Sequence, residues 1–143
     1  MSLFTSASAA QLNLGLTLLR AVVGAIFIAH GAQKLFIQGF DGVTGAFASL
    51  GIPMAGLAGP AVALLEFGGG VALVVGLLTR LAAFGLALTM VGAIVFVKGS
   101  AGLFMPNGYE YVLTLLAASV FLALAGAGRY SIDAAISRQH GHA

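Results

Sequence analysis

Four long apolar segments dominate this sequence and constrain its fold more than any other feature. The segments cover residues 14–36, 56–78, 81–97 and 109–127. A helix needs about 20 mostly apolar residues to cross a bilayer, and only the third segment is short by that measure. Because apolar and polar residues do not alternate along them, the segments predict helices and not barrel strands. We therefore expect an all-α, four-transmembrane-helix bundle that forms one membrane domain over residues 1–143.

The charge content excludes the other broad classes of protein. Six Lys and Arg and four Asp and Glu are the only such charges in 143 residues, whereas about a quarter of the residues in a soluble domain are charged. The hydrophobic content of 60% excludes intrinsic disorder. A net charge of +2 provides no basic patch, so we expect the lipid bilayer as a partner and no nucleic acid.

The residue types that hold metals are also scarce. The sequence has no cysteine, which removes disulfides, thiolate nucleophiles and Cys-ligated metals. His140 and His142 lie two residues apart in the tail with no further ligand spacing, so they predict no metal site.

The first apolar segment differs from a secretory signal peptide. Residues 1–13 contain no Lys or Arg, and the apolar run itself holds Arg20 and His30. A signal peptide has a basic start followed by a short apolar core. We therefore expect a retained membrane span.

The basic residues between the spans predict the orientation of the chain. Four spans place both termini on one side, which also receives Arg80, Arg129 and Arg138. The opposite side receives Lys34 and Lys98. Since basic residues accumulate on the cytoplasmic side, we expect a multi-pass protein of the cell inner membrane with both termini in the cytoplasm.

Two connecting segments carry helix signals. Residues 41–50 have apolar residues at helical spacing, and Asp41 is suited to cap the start. This pattern predicts a short interfacial helix between helices 1 and 2, with an ordered loop free of membrane contact as the alternative. Residues 131–138 predict a short surface helix capped by Ser131.

Two charged residues lie inside the predicted spans. Arg20 is six residues into the first span and Glu66 is near the middle of the second. An ionised side chain at the bilayer centre costs roughly 2.5–3.5 kcal/mol, so each must face protein, water or a partner. By depth Glu66 lies between Arg20 and His30, and a Glu66–Arg20 pair is within reach. Helical periodicity places Arg20, His30 and Lys34 on one face of the first helix, which should point into the bundle.

Each of these residues also has a purely structural interpretation. Arg20 is close enough to the interface to extend to the cytoplasmic headgroups, and Glu66 is able to be neutral or to pair only to hold helices together. His30 is equally suited to bond a backbone carbonyl. Gly69 and Gly70 leave space beside Glu66 for a ligand, or for close packing of another helix.

Glu110 has two interpretations as well. Asn107 and Glu110 have the spacing of a capping box at the start of the fourth span. Glu110 also lies at the outer ends that carry His30, Lys34 and Lys98, where a shared polar cluster could form.

Groups of residues that keep their order across the four spans match one known family. The groups are Leu19-Arg20, Gly24, Phe27, His30-Gly31 and Lys34-Leu35, then Phe47 and Leu50-Gly51-Ile52-Pro53, then Glu66 with Gly69-Gly70, then Gly76-Leu77-Leu78-Thr79-Arg80, then Gly108-Tyr109-Glu110, and last Gly128-Arg129-Tyr130-Ser131-Ile132-Asp133. In these the chain resembles the DoxX family of small four-helix integral membrane proteins. The resemblance implies a redox-linked role, because some relatives are associated with thiosulfate oxidation coupled to quinone. Other relatives are associated with membrane complexes that handle oxidative or thiol stress.

Three functions of different classes are compatible with the sequence. The first is a quinone-linked or redox-complex membrane subunit, in which an apolar pocket needs polar groups for the quinone carbonyls and for protons. Its cofactor would be quinone, with no evident metal or flavin site and with electrons supplied by a substrate or another membrane subunit. The second is a non-catalytic scaffold or partner subunit, and the third is a small oligomeric transporter. The residues assigned to the first function are Glu66 and His30 as catalytic groups and Arg20, Lys34, Gly69, Gly70 and Glu110 as quinone-binding groups.

Overall fold

The computed structural model describes residues 5–141, and it is all-helical over that range with no strand. Besides α-helices, it contains two stretches of π-helix, named π1 and π2 here, and one turn of 3-10 helix. His142, considered above with His140, lies outside the described residues. The elements are α1 (Ala9–Ala32), π1 (Gln33–Gln38), α2 (Gly39–Ser49), α3 (Ala55–Val75), α4 (Thr79–Ala93), π2 (Ile94–Lys98), a 3-10 turn (Gly99–Ala101), α5 (Glu110–Ala125) and α6 (Ile132–His140).

Within residues 5–141, three helical segments are long and apolar enough to cross a membrane. They are Ala9–Ser49, Ala55–Val75 and Thr79–Ala101. They contain the first and third predicted spans and all but the last three residues of the second. The apolar helix α5 has 16 residues, so its length is about 24 Å, below the roughly 30 Å of a hydrocarbon core.

A helix, α2, occupies most of the segment between the first two spans for which the sequence predicts a short interfacial helix. It begins at Gly39, whose φ of +70° changes the direction of the chain after π1. Asp41 lies in the first turn of α2 and does not cap it, because Gln38 occupies the N-cap position. Val43 is buried against α3, where a Cβ at Gly59 would lie 3.2 Å from Val43 Cγ1.

A tight turn at residues 76–78 joins α3 and α4. Gly76 ends α3 with φ +72°, and the N–H groups of Gly76 and Leu77 donate to Ala72 O at 2.8 and 2.9 Å. This is the C-cap arrangement in which a left-handed residue satisfies the last carbonyls of a helix. Leu78 also has a positive φ, of +48°, and precedes the first residue of α4.

Close packing of α1 against α3 forms the centre of the bundle. A Cβ at Gly24 would lie 2.7 Å from Gly70 O, so the two backbones approach more closely than any larger residue permits. Beside this contact the core contains the fully buried side chains of Phe27, Leu73, Leu86 and Leu122.

The capping box predicted from Asn107 and Glu110 is wrong. Tyr109 is the N-cap residue of α5, and its side chain makes no capping hydrogen bond. The preceding loop folds back, so that Tyr109 N donates to Gly102 O and Glu110 N donates to Leu103 O, both at 2.9 Å. Backbone carbonyls of the loop therefore accept hydrogen bonds from N–H groups at the start of α5, where a side-chain cap was expected. The prediction for α6 is confirmed, since Ser131 Oγ accepts from Ala134 N at 3.1 Å.

Candidate functional site: an apolar cavity with a buried ion pair

The outer half of the bundle, away from the chain termini, contains a cavity of about 810 Å³. Its walls come from α1 and π1, α2, α3, α4 and π2, the loop before α5, and α5 itself. Most lining side chains are apolar, with Phe27, Met90 and Leu115 among the buried ones. The polar or charged lining residues are His30, Lys34, Gln38, Glu66, Thr89, Lys98 and Tyr111.

An ion pair lies in the wall of this cavity. Lys34 Nζ and Glu66 Oε2 are 2.5 Å apart, and their side chains are 20% and 6% exposed. Side chains of a helix lean toward its N-terminus, and α1 and α3 run in opposite directions. Lys34 therefore extends toward the terminal side and Glu66 toward the outer side, which brings their charges together. Lys34 belongs to π1, and π-helical turns often occur at functional sites.

His30 and Tyr111 form an aromatic pair on the same cavity wall. Their ring centroids are 6.4 Å apart with the planes tilted by 44°. His30 precedes Lys34 by one turn of helix, and both residues line the cavity together with Glu66. Sequence reasoning missed Tyr111. The signal that could have found it is a phenol near the outer end of the fourth apolar segment, at the end of the bundle where His30 lies.

Gly69, Gly70 and Glu110 are placed outside the cavity lining. Gly70 packs on α1, and a Cβ at Gly69 would lie 3.3 Å from Leu86 Cδ1. Glu110 Oε1 accepts a hydrogen bond from Met105 N at 2.7 Å and so holds the loop before α5. The two glycines therefore permit close helix packing, which was the structural interpretation given to them from the sequence.

Arg20 is also placed away from the cavity, at the terminal end of the bundle. It is 2% exposed, its Nη1 donates to Ala127 O, and its Nη2 donates to Tyr130 O at 2.6 Å. Arg20 on α1 and Lys34 on π1 are 14 residues apart, which corresponds to roughly 20 Å along the helix axis. The carboxylate of Glu66 is therefore paired with Lys34, and the guanidinium of Arg20 joins α1 to the segment between α5 and α6.

Arg20, Ala127 and Tyr130 form a cluster at the terminal end of the bundle, called the terminal cluster here. Asp133, which sequence reasoning did not single out, also belongs to it. Its two carboxylate oxygens accept from Leu78 N at 2.7 Å and from Thr79 N at 2.9 Å, at the start of α4. A carboxylate at a helix N-terminus satisfies free N–H groups and opposes the positive end of the helix dipole. Asp133 N also donates to Gly76 O at 2.9 Å, so α6 is fastened to the α3–α4 hairpin.

The fold and the cavity together define a class: a small, all-helical membrane protein with polar groups concentrated in one apolar cavity. The chain belongs to the DoxX family. The DoxX family model matches residues 15–99, and the model described as "TQO small subunit DoxD" matches residues 61–143. The two matches together cover almost the whole chain.

Several curated proteins are similar to this chain over most of their length. "Putative oxidoreductase CatD" of Bacillus subtilis is 39% identical over 121 residues, which cover 85% of this chain and 86% of that protein. "Inner membrane protein YqjF" of Escherichia coli is 34% identical, with coverage of 89% and 95%. An uncharacterized membrane protein of Mycobacterium tuberculosis is 34% identical, with coverage of 85% and 80%. No solved structure matches the chain.

Proposed function

We propose that this protein is a redox-linked subunit of the inner membrane that binds quinone in the cavity beside Lys34 and Glu66. The observation that carries the proposal is a partly buried ion pair in the wall of an apolar cavity of about 810 Å³. The match to the model described as "TQO small subunit DoxD" and the name of the Bacillus subtilis relative support a redox role.

The chemistry of the lining residues fits a quinone. Small-molecule pockets are typically about 300–1,000 Å³, mostly apolar, with a few polar groups that fix the orientation of the ligand. A quinone offers an apolar ring and two carbonyl oxygens that only accept hydrogen bonds. The ammonium of Lys34, the imidazole of His30 and the phenol of Tyr111 are donors of the kind these oxygens need.

The ion pair would position one donor and hold a proton acceptor close to it. Glu66 accepts from Lys34, which keeps the ammonium at a defined place on the wall and compensates both charges. Bound quinone would accept two electrons and two protons on reduction. Glu66 and His30 are the groups in the wall that can hold and transfer a proton to a carbonyl oxygen. The electrons would come from a substrate or from another membrane subunit, which makes a membrane partner or a homo-oligomer part of this proposal.

The same proposal includes a four-span topology. The α5 helix would form the fourth span, lengthened at its outer end by the loop 102–109 that satisfies its first N–H groups. The α2 helix would lie at the outer interface, and both termini would be cytoplasmic because Arg80, Arg129 and Arg138 lie at the terminal side.

A binding measurement on purified protein tests the quinone site. Protein purified in mild detergent is extracted for bound quinone and titrated with a short-tailed quinone. Removing one member of the ion pair with Lys34→Met or Glu66→Gln is expected to weaken binding about tenfold or more, which corresponds to at least about 1.4 kcal/mol. Asp41→Asn, a change at an exposed carboxylate outside the cavity lining, serves as the matched control and should bind as the unchanged protein does.

Each result decides between the functions. A protein without quinone that binds none in titration contradicts the proposal, as does unchanged affinity in both ion-pair variants. Recovery of such a protein in a stable complex with another membrane protein would favour the non-catalytic partner subunit. Flux of protons or small organic acids in liposomes would instead favour the transporter.

A further inference from the structure

The cavity has a side that opens toward the lipid-facing surface of the bundle. Beside the cavity, at about the depth of Glu66, α3 and α4 are in close contact, because a Cβ at Gly85 would lie 3.1 Å from Leu65 Cδ1. Toward the outer end the cavity lies between the two helices, lined by Val62 of α3 and by Gly92 and Phe96 on the side of α4 and π2. The outer part of this gap is bordered by α2, which contributes Ala46 and Phe47, and by Leu50 and Ile52 in the turn that follows it.

The depth of this opening indicates which medium it faces. Leu88 lines the cavity and is 56% exposed, so it lies on the rim. Leu88 is nine residues from the start of α4 at Thr79, or about 14 Å, which is close to the middle of a core about 30 Å thick. Glu66 is nine residues from the end of α3 at Val75, so the ion pair lies at a similar depth. The part of the rim formed by Leu88 is therefore at the level of the lipid hydrocarbon.

The rim is apolar and has free space at its centre. Leu50 and Phe96, on opposite sides of the gap, are both 41% exposed and both line the cavity. Gly92 lies between Leu88 and Phe96, and a Cβ placed on it would meet no atom within 4 Å. An alkyl chain could occupy this space without displacing a side chain.

We propose that the cavity receives its ligand laterally from the bilayer, through the gap between α2 and the α4–π2 segment. The ligand carries a long apolar chain that remains in this gap while its polar head reaches Lys34 and Glu66. This inference rests on the proposed function, because it places the polar head of the ligand at the Lys34–Glu66 ion pair. It extends the proposed function by requiring a ligand with a long apolar chain. A ligand dissolved in the bilayer reaches such an opening without crossing water.

Filling the gap tests the inference, and the chain offers a matched control. Gly92→Phe places a ring in the free space. Gly68→Phe makes the same change on α3 at an exposed position outside the cavity lining, where a Cβ also meets no atom within 4 Å. Gly92→Leu provides a smaller obstruction if the Phe variant does not fold. The probes are a quinone with a decyl chain and the same quinone ring without a chain.

The expected result is a loss of quinone binding that depends on the alkyl chain of the quinone. Gly92→Phe should weaken binding of the decyl quinone about tenfold or more and change binding of the bare ring much less. Gly68→Phe should not show this difference between the two quinones. Equal affinity of the two quinones for the unchanged protein, or equal effects of the two glycine substitutions, would overturn the inference while leaving the quinone site in place.

A second measurement separates this inference from the proposed function. A long-chain alcohol with a photoreactive group on its chain is incorporated into vesicles with the protein and activated. Labelling within residues 46–52 and 85–97 that Gly92→Phe abolishes and Gly68→Phe retains would support the lateral opening even if no quinone binds. Labelling that is insensitive to Gly92→Phe would contradict the inference whatever the quinone result.

Discussion

At the scale of single residues, the two charges inside the predicted spans turn out to have different partners. Arg20 donates to the carbonyls of Ala127 and Tyr130, whereas Glu66 is paired with Lys34. The need for partners follows from the sequence, because a lone charge in the membrane is costly. The identity of the partners does not, because backbone carbonyls far along the chain leave no side-chain pattern to recognise. Arg20 therefore stabilises the terminal end of the bundle, whereas the Lys34–Glu66 ion pair lies in the wall of the cavity.

Asp133 provides a test of the terminal cluster. Asp133→Asn keeps the size of the side chain but replaces one acceptor oxygen by an NH₂ group, so that only one of the N–H groups of Leu78 and Thr79 retains an acceptor. The loss should lower the free energy of unfolding by about 0.5–2 kcal/mol, the range found for helix caps. Thermal or denaturant unfolding in detergent measures it.

The control for this change is the other aspartate. Asp41 is exposed in the first turn of α2, so Asp41→Asn should leave stability within about 0.5 kcal/mol of the unchanged protein, as surface substitutions usually do. Equal effects of the two substitutions would show that the cap formed by Asp133 does not stabilise the fold.

At the scale of helices, the glycines of α3 fall into two groups that the sequence alone does not separate. A Cβ at Gly70 would lie 2.7 Å from Gly24 O, while a Cβ at Gly68 would meet no atom within 4 Å. Both glycines belong to the small-residue pattern that permits close helix packing. Which face of α3 meets α1 is decided by the placement of the whole bundle, and this also determines that Glu66 faces the cavity.

This difference predicts opposite effects of the same substitution. Gly70→Ala must push α1 and α3 apart and should destabilise the protein by about 1–3 kcal/mol, the usual cost of overpacking. Gly68→Ala should be neutral or stabilising by up to about 1 kcal/mol, because alanine favours a helix over glycine. Unfolding of both variants in detergent gives the comparison, and a Gly70→Ala protein as stable as Gly68→Ala would contradict the packing described here.

Much of the element order could be predicted from the sequence, and the exceptions share one physical cause. Apolar length and periodicity predict α3, α4 and α6 to within a few residues, because membrane spans and side-chain caps are local features. The start of α5 was assigned to the wrong cap, since carbonyls of Gly102 and Leu103 bind its first N–H groups. The cavity was anticipated only as a face bearing Arg20, His30 and Lys34, and Arg20 lies away from it. Its walls could not be predicted because they combine five separate segments of the chain.

At the scale of the whole molecule, the number of crossings depends on α5. Three segments are long enough to span a membrane, and α5 has 16 residues. If α5 crosses, the chain termini lie on the same side, and the packing of α4 against α5 is buried inside the bilayer. The fully buried Leu86 and Leu122 belong to this one core together with Phe27 of α1, which favours α5 as a full member of the bundle.

Reporter fusions test this topology directly. We expect green fluorescent protein fused before α1 or after α6 to fluoresce, since it folds in the cytoplasm. Alkaline phosphatase, which is active only outside, should be active when fused at Gly51 or Gly102 and inactive at Leu78 in the α3–α4 hairpin. The basis is that Arg80, Arg129 and Arg138 lie on the terminal side and basic residues remain in the cytoplasm. A fluorescent N-terminal fusion combined with an active phosphatase after α6 would mean that α5 does not cross, and would reduce the protein to three spans.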